Sequence, residues 1–257
     1  MPFGGKGRYM GQFEPKYSDL GADADLWWVV PFSVRYIVGV SGLRFAGKST
    51  ALSYLADKRG FSTYSLTGEL RRIAQVRGIA VSSRESLQDL GDELRAEHGD
   101  GGFLARLTLE RIRADHLHTR GGLTRIAVGG FKHPKEVAVF NQLADAFHFL
   151  RVLAGERVRY ARAAGNGILA RELTELGIPF TGVPGPSLFR WRLEERDRRG
   201  QDWRPWTRGY GQSMDKTVTS GINAHEIRNS GTDYGPLYNK LDAWIDELDA
   251  LHRRPDI

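Results

Sequence analysis

The chain of 257 residues is 40% hydrophobic and 26% charged, the balance of a folded globular protein with enough length to bury a substantial core. It contains no cysteine, which excludes disulfides, thiolate metal sites and a cysteine nucleophile. The formal charge is +6, and with eight lysines among 37 basic residues, arginine supplies the other 29. Such a charge is compatible with nucleic acid as a partner without requiring it. The arginine bias fits a phosphate-rich substrate, since guanidinium binds phosphate through two parallel hydrogen bonds, and equally a GC-rich coding sequence. No run approaches the ~18 apolar residues that span a bilayer. The basic segment Met1 to Lys16 has no apolar core of a secretory signal. The expectation is a cytoplasmic protein with no membrane partner.

Residues 1–33 are rich in Gly, Tyr, Phe and Trp and show no period, with Trp27-Trp28-Val29-Val30 the one apolar cluster. They read as an arm laid on a domain spanning residues 34–257, with a partner-binding segment as the alternative. From Arg35 onward strand-like and helix-like segments alternate. Strands are expected at Arg35–Ser41, Phe61–Ser65, Thr124–Val128, Ala146–Leu153 and His225–Arg228. Helices are expected at Lys48–Lys58, Gly68–Arg77, Arg84–His98, Phe103–His116, Pro134–Leu143, Glu156–Ala164 and Leu237–Leu251. Alternation of this kind predicts an α/β fold: a parallel five-stranded sheet covered on both faces by helices, three layers in all. No internal repeat is present.

The most informative stretch joins the first strand to the first helix. Gly42-Leu43-Arg44-Phe45-Ala46-Gly47-Lys48-Ser49, followed by Thr50, is Gly-x-x-x-x-Gly-Lys-Ser between an apolar strand and a helix, the setting of a phosphate-binding loop. The two glycines let the backbone bend so that successive N–H groups face phosphate oxygens, and the helix that follows adds the positive end of its dipole. Lys48 is expected at the β- and γ-phosphates and the Ser49 hydroxyl on Mg²⁺. The sequence therefore predicts a P-loop NTPase fold that binds ATP with Mg²⁺. In such sheets ligands bind beyond the carboxyl ends of the strands, which draws Glu69 and Arg72, just after the second strand, and Lys132, just after the third, toward the same site, with Arg95 nearby. A carboxylate there can orient an acceptor hydroxyl or take its proton, while the cations hold an acceptor's anionic group. Each of these residues, taken alone, suits a surface ion pair better than a ligand; it is their combination at the strand ends that points to a site.

Residues 165–212 break the alternation. Turn signals at Gly177-Ile178-Pro179 and Gly182-Val183-Pro184-Gly185-Pro186 precede an arginine-rich run from Arg190 to Arg199 and then Trp203-Arg204-Pro205-Trp206. Three uses stay open: a lid whose arginines close over phosphates, a surface that stacks and neutralises nucleic acid, or a solvated helix anchored by core tryptophans.

On these residues the chain resembles the P-loop kinases grouped around dephospho-coenzyme A kinase and the nucleoside monophosphate kinases. Within that group it is most similar to an archaeal dephospho-CoA-kinase-like branch and to phage deoxynucleoside monophosphate kinases. The resemblance runs from about Tyr36 to Trp244. It rests on Gly42–Thr50, on Gly68-Glu69-Leu70-Arg71-Arg72 where the family has Gly-Asp-x-x-Arg, and on Leu94-Arg95-Ala96-Glu97-His98-Gly99. It continues through Gly129-Gly130-Phe131-Lys132 with Glu136-Val137, through Arg157, Arg159 and Arg162 on the helix opening the lid, and through Arg196-Asp197 within it. It closes with Glu226-Ile227-Arg228-Asn229-Ser230-Gly231-Thr232. The resemblance implies a kinase in which Asn229 and Gly231 lie near the adenine, and Arg95, His98 and Lys132 join Glu69 and Arg72 at the acceptor. It further implies that Arg159, Arg162 and Arg196 close from the lid as charge spreads during transfer. Three departures stand out: Gly129 replaces an acidic residue, Glu69 carries its carboxylate one methylene further out, and the lid is long.

Three functions follow. The first is an ATP-dependent kinase acting on a small nucleotide, with a deoxynucleoside monophosphate preferred over dephospho-CoA. The second is the same chemistry on a nucleoside within DNA or RNA, motivated by the charge, the Trp/Arg-rich insertion and the aromatic arm. The third is a non-catalytic nucleotide-binding regulatory module, motivated by Gly129.

Overall fold

The computed structural model describes residues 34–81, 84–118, 124–143, 146–165, 224–231 and 233–253, together with the single positions 167, 171, 174, 187 and 188. The expected arm at residues 1–33 lies outside them, as does almost all of the expected lid, including Arg196, Trp203 and Trp206.

Five strands form one parallel sheet: β1 Tyr36–Ser41, β2 Ser62–Ser65, β3 Arg125–Gly129, β4 Phe147–Leu153 and β5 Ala224–Arg228, in the spatial order β2-β3-β1-β4-β5. The helices are α1 Lys48–Arg59, α2 Leu66–Val76, α3 Arg84–Glu97, α4 Phe103–His118, α5 Pro134–Asn141, α6 Glu156–Gly165 and α7 Gly235–Leu251. Every one of these elements falls within two residues of its expected bounds. The central strands read as continuous apolar runs because helices cover both faces.

Alternate residues of β1 supply the two cores. Ile37 joins Ile126, Val128, Phe147 and Phe149 under α2, α3, α4 and α5. Tyr36, Val38 and Val40 join Ala127, Leu150, Val152 and Ile227 against α1 and α7, through Ala51, Leu55, Leu241 and Trp244. The period of two along a strand makes this division automatic. Gly39, facing the first layer, leaves room for two aromatic rings: a Cβ there would stand 2.8 Å from Phe147 and 2.9 Å from Phe149.

The amino-terminal end of the sheet is fastened by charge. Asp249 of α7 accepts from Tyr36 Oη at 2.9 Å, Arg125 Nη1 at 3.1 Å and Arg35 Nη1 at 3.3 Å. Arg59 of α1 pairs with Asp242 at 3.4 Å and also with Asp246. The opposite end, where β1, β3 and β4 run out, holds the glycine-rich loop.

Candidate phosphate-binding site

The loop between β1 and α1 has the backbone its spelling calls for. Gly42 sits at φ 145°, and any Cβ on it would meet the Val152 carbonyl oxygen at 2.1 Å, so β4 passes too close for a side chain. Gly47 sits at φ 108°, where an added Cβ would strike Asn229 Nδ2 at 2.5 Å. Between them Phe45 takes φ 62°, with the Arg44 guanidinium 4.6 Å above its ring. Lys48 Nζ reaches back over the loop to donate to Leu43 O at 2.8 Å.

The start of α1 differs from that of its neighbours in a way that matters. Helix α2 is capped by Ser65, whose Oγ accepts from the Gly68 N–H. Helix α5 carries a full capping box of His133 and Glu136. Helix α1 has no side-chain cap and no acid in its first turn. Its first N–H groups and the positive end of its dipole are therefore not answered by a resident carboxylate, the arrangement that suits an anion. Ser49, in that first turn, is exposed. An exposed hydroxyl on an uncapped helical turn fits the one protein ligand that Mg²⁺ needs when phosphate oxygens and waters supply the rest.

Asn229 and Gly231 meet the loop from the far side. The Asn229 backbone N–H donates to Leu153 O at 2.7 Å, extending the β4–β5 pairing, and its buried side chain donates to Ala46 O at 2.9 Å. Arg162 of α6 is 8% exposed and joins the same cluster. Its Nη1 donates to Phe45 O and Ala46 O, each at 3.0 Å, and its Nη2 to Gly231 O at 2.5 Å and Asn229 O at 3.4 Å. Arg159, one turn earlier on α6, is half-buried.

A second group forms beyond the ends of β2 and β3. Glu69, in the first turn of α2, is buried, with Arg72 Nε at 2.9 Å from one carboxylate oxygen and Arg111 Nε at 4.0 Å from the other. Arg111 comes from α4 and was not anticipated; the helix was expected, but no local motif marks which of its residues turns toward α2. Beside it Tyr64 Oη donates to Asp115 at 3.1 Å, and burial, reinforced by the Asp115 charge, pushes the Tyr64 hydroxyl well above its ordinary range. Gly130 sits at φ 91°, and a Cβ added there would stand 3.0 Å from Thr67 Oγ1, so the chain leaving β3 runs beside the start of α2.

Arg95 is buried and His98 half-buried. Arg95, 7% exposed, pairs with Asp92 at 3.1 Å and with Glu136 at 2.7 Å. Glu136 is fully buried and also accepts from the backbone N–H groups of Lys132 at 2.6 Å and His133 at 3.0 Å. Arg95 thus ties α3 to the start of α5 beneath the loop that carries Lys132, whose own side chain is exposed. The His98 ring stacks on Phe103 with 3.8 Å between centroids. Next to Arg95, burial and that guanidinium hold His133 down at about 4. At Gly129 the missing carboxylate has a steric counterpart: Leu52 Cδ1 stands 2.5 Å from where a Cβ would begin. The space an acidic side chain would enter belongs to α1.

A five-stranded parallel sheet, a glycine loop at its carboxyl end and an uncapped helix behind that loop define a P-loop α/β protein. A curated relative from Methanothrix thermoacetophila, described as a UPF0200 protein, is 30% identical over 131 residues, 51% of this chain and 66% of its own length. The chain therefore spans a little under two thirds of that relative. No family model matches. Solved structures similar in fold include an uncharacterized protein from Eubacterium ventriosum, 12% identical, with 82% of this chain and 98% of that one covered and a TM-score of 0.44. Another is a sugar kinase from a Janibacter species, 16% identical, covering 82% and 94%, at 0.35. A gluconokinase from Sinorhizobium meliloti is 13% identical, covering 84% and 97%, at 0.37. Scores at this level carry no functional argument. Among the described residues no helix is long and apolar enough to cross a membrane.

Proposed function

We propose that the chain is an ATP-dependent phosphotransferase whose acceptor is a small nucleotide, a deoxynucleoside monophosphate ahead of dephospho-CoA. The observation that carries the reading is the pairing of two sites across β3: an uncapped, acid-free helix start behind a glycine loop, and a buried carboxylate held between two guanidinium groups. The first suits a polyphosphate. The second suits an acceptor with both an anionic group and a hydroxyl.

In this reading the loop N–H groups and Lys48 hold the β- and γ-phosphates, and Ser49 would hold Mg²⁺, which neutralises phosphate charge when bound. Arg72 and Arg111 take the acceptor's phosphate, with Lys132 reaching in from the loop after β3. Glu69 fixes a hydroxyl of the acceptor. During transfer the bond from the γ-phosphorus to the β-bridging oxygen breaks, a bond to the acceptor oxygen forms and ADP leaves. A phosphate acceptor needs no base; a hydroxyl acceptor gives its proton to Glu69. Arg159 and Arg196 are the lid cations of this scheme, added around the transferring group as water is excluded.

The test is transfer from γ-labelled ATP to each nucleoside monophosphate, to dephospho-CoA, and to single-stranded and duplex DNA and RNA at two salt concentrations. Transfer to a mononucleotide with little salt dependence is expected. Transfer confined to polymer and lost steeply with salt would move the protein to nucleic-acid modification, and ATP binding with no transfer to any acceptor would make it a regulatory module.

A further inference from the structure

A glycine loop cradles phosphate only if its N–H groups converge, and a trans peptide that turns its N–H inward turns its carbonyl outward. The outward carbonyls then need donors of their own, because a buried carbonyl left without one opposes the conformation that buried it. At the tip of this loop two carbonyls are served by one side chain: that of Ala46, whose peptide carries the Gly47 N–H, and that of Phe45, whose peptide carries the Ala46 N–H that closes the loop on Leu43 O at 3.2 Å. Arg162 Nη1 lies 3.0 Å from Phe45 O and 3.0 Å from Ala46 O. Its Nη2 holds the β5–α7 turn through Gly231 O and Asn229 O, and the Tyr234 ring lies 5.0 Å from the guanidinium carbon. Asn229 Nδ2 adds a second donor to Ala46 O at 2.9 Å.

We propose that Arg162 is the positioning residue that fixes the phosphate-binding loop in its anion-binding shape and couples that shape to helix α6. The inference rests on the reading of Gly42–Ser49 as a triphosphate site. Phe45 gives the independent sign. Among the described residues it is the one non-glycine at positive φ, 62°. Such a conformation persists in an L-residue only where its surroundings impose it. The hydrogen bond from Arg162 to the Phe45 carbonyl is one such constraint. With Ala46 O held by Arg162 and Asn229, the same rigid peptide turns the Gly47 N–H the opposite way, away from both. The side chain therefore acts on phosphate through the loop, not by touching it. Its helix opens directly after β4, so any movement of α6 also moves the donors of the loop.

Arg162→Lys keeps the charge and loses the planar fork that reaches several carbonyls at once. Titration calorimetry with ATP–Mg²⁺ and with inorganic triphosphate, in the absence of any acceptor, reads the effect directly. The lysine variant is expected to fold and to lose about ten- to a hundred-fold in affinity for both ligands alike. The KM of the acceptor should stay unchanged. In Arg162→Ala, added guanidinium ion at millimolar concentration should restore part of the affinity. Unchanged affinity in the lysine variant overturns the inference. So does a loss for ATP alone, which would make Arg162 a nucleoside contact, and so does a loss of kcat with affinity intact, which would make it a cation that touches the transferring group. Should the Arg162 variants not fold, Asn229→Ser removes one donor to Ala46 O and carries the same measurement. Weaker triphosphate binding then supports the brace, and unaltered binding refutes it. Wild-type protein that binds neither ligand refutes the triphosphate site itself, a result distinct from any of these.

Discussion

Replacing Arg95 by alanine separates two roles that one residue can have in this region. By resemblance Arg95 belongs to the acceptor site; in the structure its guanidinium bridges Asp92 and Glu136 and is 7% exposed. Glu136 is fully buried, and without Arg95 the partners it keeps among the described residues are the N–H groups of Lys132 and His133. Removing one member of a buried pair costs about 3–5 kcal/mol, because the remaining charge stays buried without its counter-charge. For a chain of this size each kcal/mol lowers Tm by roughly 2–4 °C, so Arg95→Ala should melt about 6–20 °C lower. Circular dichroism at 222 nm, scanned at pH 7 with and without ATP, makes the measurement, and steady-state kinetics well below the new midpoint make the other half. The structural role predicts a large loss of Tm with acceptor KM changed less than about threefold, the guanidinium being taken up by Asp92 and Glu136. A melting point within about 2 °C of wild type, together with an acceptor KM raised tenfold or more, would refute it. That outcome would return Arg95 to the acceptor.

Lys48→Ala should leave the melting point within a few degrees and reduce turnover to below about a tenth of wild type, since the lysine matches charge that develops during transfer; retention of more activity than that would undermine the phosphotransferase reading. His133 should make stability fall with acid. Its folded pKa of about 4 lies below the ordinary value of 6.5, so the unfolded chain binds more protons between those values. Stability is then full above pH 6.5 and declines toward pH 4 by up to about 3 kcal/mol, and His133→Asn should show a correspondingly flatter urea-midpoint profile. Gly129→Ala should destabilise by about 1–3 kcal/mol through its clash with Leu52, and trimming that side chain in Gly129→Ala/Leu52→Ala should recover part of the loss specific to position 129; two independent, additive losses in the double variant would mean that the contact is not the cause.

The fold was legible in the sequence because burial on both faces leaves a pattern that no other architecture shares. Runs such as Tyr36-Ile37-Val38-Gly39-Val40 are apolar throughout, and they alternate with helix-length segments of mixed polarity. The loop was legible because its chemistry is local: Gly42 and Gly47 are dictated by neighbouring segments that a Cβ would meet at 2.1 and 2.5 Å, yet the need shows as glycine at fixed spacing. Partner choice was not legible. Nothing near Arg95 in the chain announces Glu136, 41 positions away, and nothing near Arg162 announces the carbonyls of Phe45 and Ala46, 117 and 116 positions away. Arg111 shows the same limit from the other side. Its charge is visible, but its approach to Glu69 depends on how α4 lies across α2.

The abundance of arginine takes on a different meaning once partners are known. A phosphate-rich substrate would explain guanidinium groups that stand open, whereas most of those resolved here are cross-links within the chain. Arg35, Arg59 and Arg125 converge on the acids of α7, Arg106 holds Asp100 at 2.8 Å, and Arg151 holds Glu226 at 2.7 Å. Lysine would serve poorly at Arg35 and Arg59, because each of these guanidinium groups spans several acceptors that one ammonium cannot align. Arg162 extends the same usage to backbone carbonyls. What distinguishes Arg72 and Arg111 is that both lie on one buried carboxylate while remaining partly exposed, with side-chain exposures of 37% and 45% against 10% for Glu69. Guanidinium groups this open to solvent are partly screened from the carboxylate they hold. Under the proposed function their use is as anion ligands beside a carboxylate that already fixes their direction, and it is on that arrangement, more than on the net charge of the chain, that the proposal of a phosphate-bearing acceptor rests.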